Sequence, residues 1–233
     1  MAFLMLINAH FQSSGWCICL NSHLPDWLPN YVVSRSVIAC DGAYDRLQRM
    51  HIKPKVLIGD FDSVADQVFD DSMMCCYRPH QGLTDFEKAC IYLDSLASWP
   101  HLIFGVHMGC LDHVVHHLHL MAKMAKQQPV FFVSSGDDAP EQIGVMIATD
   151  CQVALERESV ISMFGVPSTC VSVAGLRWPL QQAYLDFGVQ ASVRNRVQDE
   201  LVSVRVHAGV LMLLVEADAV LSAALQRIRS QGA

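Results

Sequence analysis

Two carboxylates two residues apart, Asp60 and Asp62 in VLIGDFDSV (56–64), stand directly behind an apolar run. Their like charges repel, so holding them together calls for a reason. Two chemistries supply one: the pair can hold a hard metal ion over a phosphate chain, or one of the two can itself be a nucleophile. Asp41 also follows an apolar run, in SVIACDG (36–42), and Asp85 falls at the first turn of a helix predicted behind Thr84. Magnesium takes oxygen ligands, usually about one or two carboxylates plus substrate phosphates, so this set suits it without histidine or cysteine. A single Asp reads as a turn or capping residue. Four at equivalent strand and helix ends favour a shared site, because ligands of open α/β sheets lie beyond the carboxyl ends of the strands.

The elements that must position these groups are legible in outline. Residues 1 to about 135 alternate apolar runs with helical periodicity, which predicts a layered α/β unit. FLMLIN, SVIACDG, KVLIGD and VFFVSSGDD each end in polar or turn residues, as parallel strands buried on both faces would. Thr84 to Glu87 has the form of a capping box. It predicts a helix through about Ser98 with Phe86, Ala89, Cys90 and Leu93 on one face. A second helix, Asp112 to about Gln127, carries Val115, Leu118 and Met121 or Ala122. Beyond SSGDDAPEQIG (134–144) the runs are short and rich in Val, Ser and Cys, which predicts an all-β half. Its last run, LVSVRVHAGVLMLLVE (201–216), has the form of a hairpin turning at His207 to Gly209, with a helical tail from Asp218. Two domains follow, 1–138 and 139–233, with no internal repeat.

Composition narrows the function classes. Hydrophobic residues make up 52% and charged ones 17%, below the ~25% charged of an average chain, so a sizeable core forms easily. No window matches a membrane span; the most apolar, Gly209 to Leu225, is broken by Glu216 and Asp218. MAFLMLINAHF reads as a strand and not a signal peptide. Nine cysteines without CxxC spacing suit reduced thiols in a cytoplasm. A net charge of −7 argues against a nucleic-acid groove and means that a phosphate-bearing substrate needs a bound cation.

Taken together, the motifs resemble the thiamine pyrophosphokinase family. ACDGAYDRL (39–47), IKPKVLIGDFDS (52–63), QGLTDFEKAC (81–90), GVHMGCLDHVVHHLHL (105–120) and GLRWPL (175–180) follow the order and spacing of its motifs, and Gly-Asp-Phe-Asp-Ser with Thr-Asp carries most of the weight. The resemblance implies transfer of a diphosphoryl group from ATP to the thiamine hydroxyl, releasing AMP. It also implies an α/β catalytic domain with a mostly parallel, Rossmann-like sheet, a β-sandwich thiamine-binding domain, and a homodimer with thiamine between subunits.

On this resemblance Asp60, Asp62 and Asp85 hold Mg²⁺, and Gln81 orients the acceptor hydroxyl. Asp41 partners thiamine or its departing proton. Asp41, Gly42, Ser63, Thr84, Asp112 and His113 fall at the nucleotide, Asn8 lies on the same rim, and Lys88, one turn after Asp85, reaches phosphate. Asn195 and Trp178 fall at thiamine. The chain departs from the family pattern in four places: Gly82 stands for Asp, Cys110 for Arg, His117 for Asn, and Arg194-Asn195-Arg196 for Ser-Asn-Glu. Both arginines are expected to turn away from a cationic thiazolium, leaving Asn195 as the pocket residue. His113 and His117, spaced i, i+4, match a spacing seen in zinc sites, but no third ligand is marked. Two other readings remain open. VLIGDFDSV also suits a haloacid-dehalogenase-like phosphatase with Asp60 as nucleophile, although Asp60 follows the third predicted strand and not the first. A non-catalytic relative that binds nucleotide or thiamine diphosphate is the other.

Overall fold

A computed structural model describes residues 15–64, 73–77, 82–106, 110–136 and 139–216. The chain divides into two compact units. One holds Ser14–His117 with Phe132–Ala139; the other takes Leu118–Phe131 and the chain from Pro140 onward.

The first unit is built on parallel strands β1 (Trp16–Cys19), β2 (Ser36–Cys40), β3 (Val56–Gly59), β4 (Met74–Tyr77) and β5 (Pro100–Phe104), with β6 (Val130–Gly136) entering at Phe132. Their order is β6-β5-β1-β2-β3-β4, and every pairing among them is parallel. The chain moves outward from β1 to β4 and then returns to the other side of β1, so the strand order reverses there, the position at which such sheets open a crevice. Cys17 to Cys19, Val37 to Cys40 and Val56 to Ile58 are all buried, as strands covered on both faces require. Helices α1 (Leu28–Val32), α2 (Ala43–Arg49) and α3 (Asp85–Ser95) connect them.

Helix α4 (Leu111–Ala125) buries Met121 and Ala122 as expected but not Val115. Val115 is 57% exposed, whereas His117, Met121, Ala122 and Ala125 are buried. A histidine therefore occupies the stripe at i, i+4, i+8, and the apolar Val115 lies off it.

The second unit is antiparallel throughout. β9 (Val160–Ala174) and β12 (Leu201–Glu216) form a long ribbon. β10 (Leu180–Asp186) and β11 (Ser192–Arg196) pair with β9, while β7 (Ala139–Ile147) and β8 (Cys151–Ala154) pair with β12. The hairpin expected at His207 to Gly209 is absent: β12 runs through that stretch and stays paired with β9, shifting register on both sides of it. Gly209 has φ +82°, and a Cβ there would lie 2.1 Å from the Ser168 carbonyl oxygen. The glycine permits a bulged bend that resembles a turn in sequence.

None of the nine cysteines, all among the described residues, is in a disulfide. Among the described residues no helix is long and apolar enough to cross a membrane. FLMLIN and the segment from Asp218 lie outside the described residues, and the first described strand is Trp16–Cys19.

Candidate active site

Parallel pairing brings the carboxyl ends of β2 and β3 side by side. Cys40 pairs with Ile58, and the Asp41 N–H donates to the Ile58 carbonyl at 2.9 Å. A Cβ on Gly59 would lie 3.0 Å from the Asp41 Cβ, so glycine lets the two strand ends close on each other. Asp41 (φ 46°) and Phe61 (φ 64°) both adopt left-handed backbone. Aspartate tolerates this region, while a bulky aromatic enters it only when its surroundings impose it. The turn at Phe61 keeps Asp60 and Asp62 together, and oxygens of Asp41, Asp60 and Asp62 lie within 4.8 Å of one another.

Burial falls steeply across this cluster. Asp41 is 6% exposed, Asp60 half-buried and Asp62 exposed. Burial pushes the Asp41 carboxyl above the usual carboxylate range; the Ser63 hydroxyl opposes the shift and the nearby Asp85 charge adds to it. Asp41 Oδ1 is buried without a hydrogen-bond partner. Ser63 Oγ donates to Asp62 Oδ1 at 3.0 Å.

The capping box at α3 forms as its residues suggest. The Glu87 N–H donates to Thr84 Oγ1 at 3.3 Å, and the Thr84 N–H donates to Glu87 Oε2 at 2.9 Å. Burial alone would raise the Glu87 carboxyl, but the Thr84 amide and hydroxyl, with His116, hold it below the usual range. The fixed helix start presents Asp85 and Lys88 to the same pocket as the three carboxylates. Lys88 Nζ donates to Asp85 Oδ1 at 2.7 Å, with only 8% of the lysine side chain exposed. Lys88 is the one Lys or Arg among the described residues lining the pocket.

His113 and His117 close the lining from α4. His117 is 2% exposed and packs edge-on against Phe86 at 5.3 Å between ring centroids. Burial lowers its pKa to about 4 against a hydrogen bond to the Val106 backbone, and His116 and His113 add to the fall. His113 instead gathers with Cys110 and Asp112: one ligand atom from each lies within 4.8 Å of the others, and all three residues are exposed.

Gly42 caps α2 with the Asn21 side chain against it, and Asn21 also lines the pocket. Sequence reasoning missed Asn21, although WCICLN repeats the pattern of an apolar run ending in a polar residue. Asn8 and Gln81 lie outside the described residues.

In the antiparallel unit Asn195 is buried, and its side-chain amide is fully engaged. It donates to the Trp178 carbonyl at 2.8 Å and to Ser192 Oγ at 3.3 Å. It accepts from the N–H groups of Arg196 at 2.8 Å and Trp178 at 3.3 Å. Trp178 is 57% exposed. Arg194 pairs with Glu216 at 3.3 Å, and an Arg196 guanidinium N–H donates to the Glu158 carbonyl at 2.7 Å.

Two family models match the chain: the catalytic domain of thiamin pyrophosphokinase over residues 31–133 and its vitamin B1 binding domain over 150–211. Together they span more than half of it. Thiamin pyrophosphokinase 1 of Caenorhabditis elegans is 25% identical over 174 residues, covering 69% of this chain and 70% of that protein. Among solved structures, thiamine pyrophosphokinase from Bacillus subtilis aligns with a TM-score of 0.74 at 17% identity, over 88% of this chain and 99% of that one. The yeast thiamin pyrophosphokinase aligns with a TM-score of 0.72 at 16% identity, over 94% and 91%. The phosphatase reading gains no support from these matches. The chain belongs to the thiamine pyrophosphokinase family.

Proposed function

We propose that this chain is a thiamine diphosphokinase, transferring the diphosphoryl group of ATP to the thiamine hydroxyl to give thiamine diphosphate and AMP. The observation that carries the reading is the gathering of Asp41, Asp60 and Asp62 in a pocket within the span matched by the catalytic-domain model. This donor set fits a hard divalent cation: it is all carboxylate oxygen, and it includes a buried oxygen, Asp41 Oδ1, with no partner of its own. Asp41, Asp60 and Asp62 would hold Mg²⁺, with Asp85 beside them. When bound, the cation neutralises phosphate charge and polarises phosphoryl oxygens.

The remaining work falls to positioning, which such transfers need more than covalent help from the protein. Lys88 offers a cationic donor to phosphate oxygens. Its ion pair with Asp85 and the Thr84–Glu87 cap fix where it stands. Ser63 orients Asp62. Buried and neutral at pH 7, His117 keeps the wall beside Phe86 free of charge. Gln81 is assigned to the acceptor hydroxyl, and Asn8 and Asn21 to the nucleotide rim.

The parallel strand order supports a Rossmann-like domain over 1–138. The bent β9–β12 ribbon, flanked by different strands at its two ends, supports a thiamine-binding β-sandwich over 139–233. There Asn195 acts through Trp178, whose backbone it anchors. Tyr184, Phe187, Val189 and Val193 are all at least 60% exposed, which favours a homodimer covering them, with thiamine between subunits. The free thiols suit a reducing cytoplasm.

Incubation with ATP, Mg²⁺ and thiamine tests the reading, with products resolved. AMP and thiamine diphosphate in equal amounts are expected. Inorganic phosphate released without thiamine would indicate a phosphatase, and nucleotide binding with no AMP a non-catalytic relative.

A further inference from the structure

We infer that Cys110, Asp112 and His113 form a second cation site, for a borderline transition-metal ion of the Zn²⁺ type, at the rim of the carboxylate pocket. A thiol sulfur, a carboxylate oxygen and an imidazole nitrogen lie within 4.8 Å of one another there. Ligands of a tetrahedral Zn²⁺ stand roughly 3.3–3.8 Å apart at ordinary bond lengths, so rotation of exposed side chains closes the set. The backbone is already in place: the Val114 N–H donates to the Cys110 carbonyl at 3.2 Å, which fixes Cys110 at the first turn of α4. Cys110 and His113 are thereby i, i+3 neighbours on one helix face. Asp112 Oδ1 accepts from the His113 N–H at 2.9 Å and lies 3.1 Å from His113 Nδ1.

Donor chemistry separates this site from the neighbouring one. A set containing thiolate and imidazole selects Zn²⁺ and its relatives, whereas the oxygen-only cluster of Asp41, Asp60 and Asp62 selects Mg²⁺. Three protein ligands leave one tetrahedral position open, as in zinc sites that receive a further ligand. His113 also lines the carboxylate pocket, so the open position borders the space assigned to phosphate. The charges agree with that placement. A divalent ion with one thiolate and one carboxylate sums to zero, the same as the Arg–Asp pair of the family pattern. Without the ion, no Lys or Arg in the segment 105–120 takes the place of the family's arginine beside Asp112. Binding displaces the thiol proton to solvent as the metal–sulfur bond forms. Only the consequence for nucleotide rests on the diphosphokinase reading; the binding does not.

The test is a titration of the reduced, metal-free full chain with Co²⁺, followed by displacement with Zn²⁺. Expected are a thiolate-to-cobalt charge-transfer band that saturates at one ion per chain and release of about one proton. Cys110→Ser should abolish the band and weaken Zn²⁺ binding by at least about the 10–100-fold that even an outer-shell partner contributes. His113→Ala should weaken binding while keeping the band at higher metal concentration. No saturable band, or an unchanged band and affinity in Cys110→Ser, would overturn the proposal, the second result assigning the ion to other thiols such as Cys75 and Cys76. AMP formation by a chain that shows no band would remove this site and leave the diphosphokinase standing. A Cys110-dependent band in a chain that makes no AMP would do the reverse.

Discussion

The pocket of the parallel unit and the Asn195 region of the antiparallel unit are opposite solutions to burying polar groups. In the pocket Asp41 is buried with an oxygen that nothing satisfies, and two more carboxylates crowd it. At Asn195 every donor and acceptor of the amide is satisfied. An unsatisfied buried group costs about 1–3 kcal/mol, and like charges add to that cost. Such an arrangement makes sense where a ligand completes it, whereas a closed set of bonds makes sense as a structural tie. Two polar positions implied by the same family resemblance thus have different physical meanings.

The largest effect that would break this contrast lies in the pocket. Asp62→Asn removes one carboxylate at an exposed position, so folding should be unaffected while kcat at limiting Mg²⁺ falls by about 10²-fold or more, the scale of losing one transition-state contact. Wild-type turnover with an unchanged Mg²⁺ requirement would strip the cluster of its role. Asn195→Ala should act the other way. It strands the N–H groups of Trp178 and Arg196 and lowers stability by about 2–4 kcal/mol, read as a lower urea midpoint, while Mg²⁺ binding at the pocket is retained.

His117 sharpens the contrast through pH. Its folded pKa, about 4, lies below the ordinary value of 6.5, so between these values the unfolded chain binds more protons and stability rises with pH. Neutral His117 is fully accommodated above pH 6.5. As pH falls from there toward 4, up to about 3 kcal/mol is lost. Urea midpoints at pH 7 and pH 5 should differ in the wild type and converge in His117→Asn; equal slopes in both would assign the acid sensitivity to other groups. The smallest effect belongs to Arg194. It is 62% exposed and paired with Glu216, and such pairs contribute about 0–1 kcal/mol. Arg194→Ser should therefore shift the thiamine KM only about twofold. A large fall in KM, steepest at low salt, would put its charge in the thiamine pocket.

What the sequence disclosed follows the same physics. Asp41, Asp60 and Asp85 were legible because each sits where an apolar run or a capping signal stops, a local pattern with a local cause. The cap itself formed with both of its reciprocal bonds. Non-local causes were harder to read. Nothing local showed that Asp41 stands within reach of Asp60 and Asp62; that follows from the register of β2 against β3. Val115 misled because apolar character alone placed it on the buried face, where His117 sits instead with Met121 and Ala122. Gly209 suggested a reversal where the partner strand imposes only a bend. Asn21 was passed over although WCICLN, like FLMLIN, is an apolar run that ends in asparagine.

One measurement tests most directly whether the clustered carboxylates are there for a cation: Mn²⁺ binding, followed by electron paramagnetic resonance, to the wild type and to Asp41→Asn, Asp60→Asn and Asp62→Asn. The expected result is one tight Mn²⁺ per wild-type chain in the presence of ATP, weakened in each variant. Thermal stability should be unchanged or raised in Asp41→Asn, since a buried charge has been removed. Equal Mn²⁺ affinity in all four proteins would contradict the account, because Asp41, Asp60 and Asp62 would then be crowded together without a ligand to explain them.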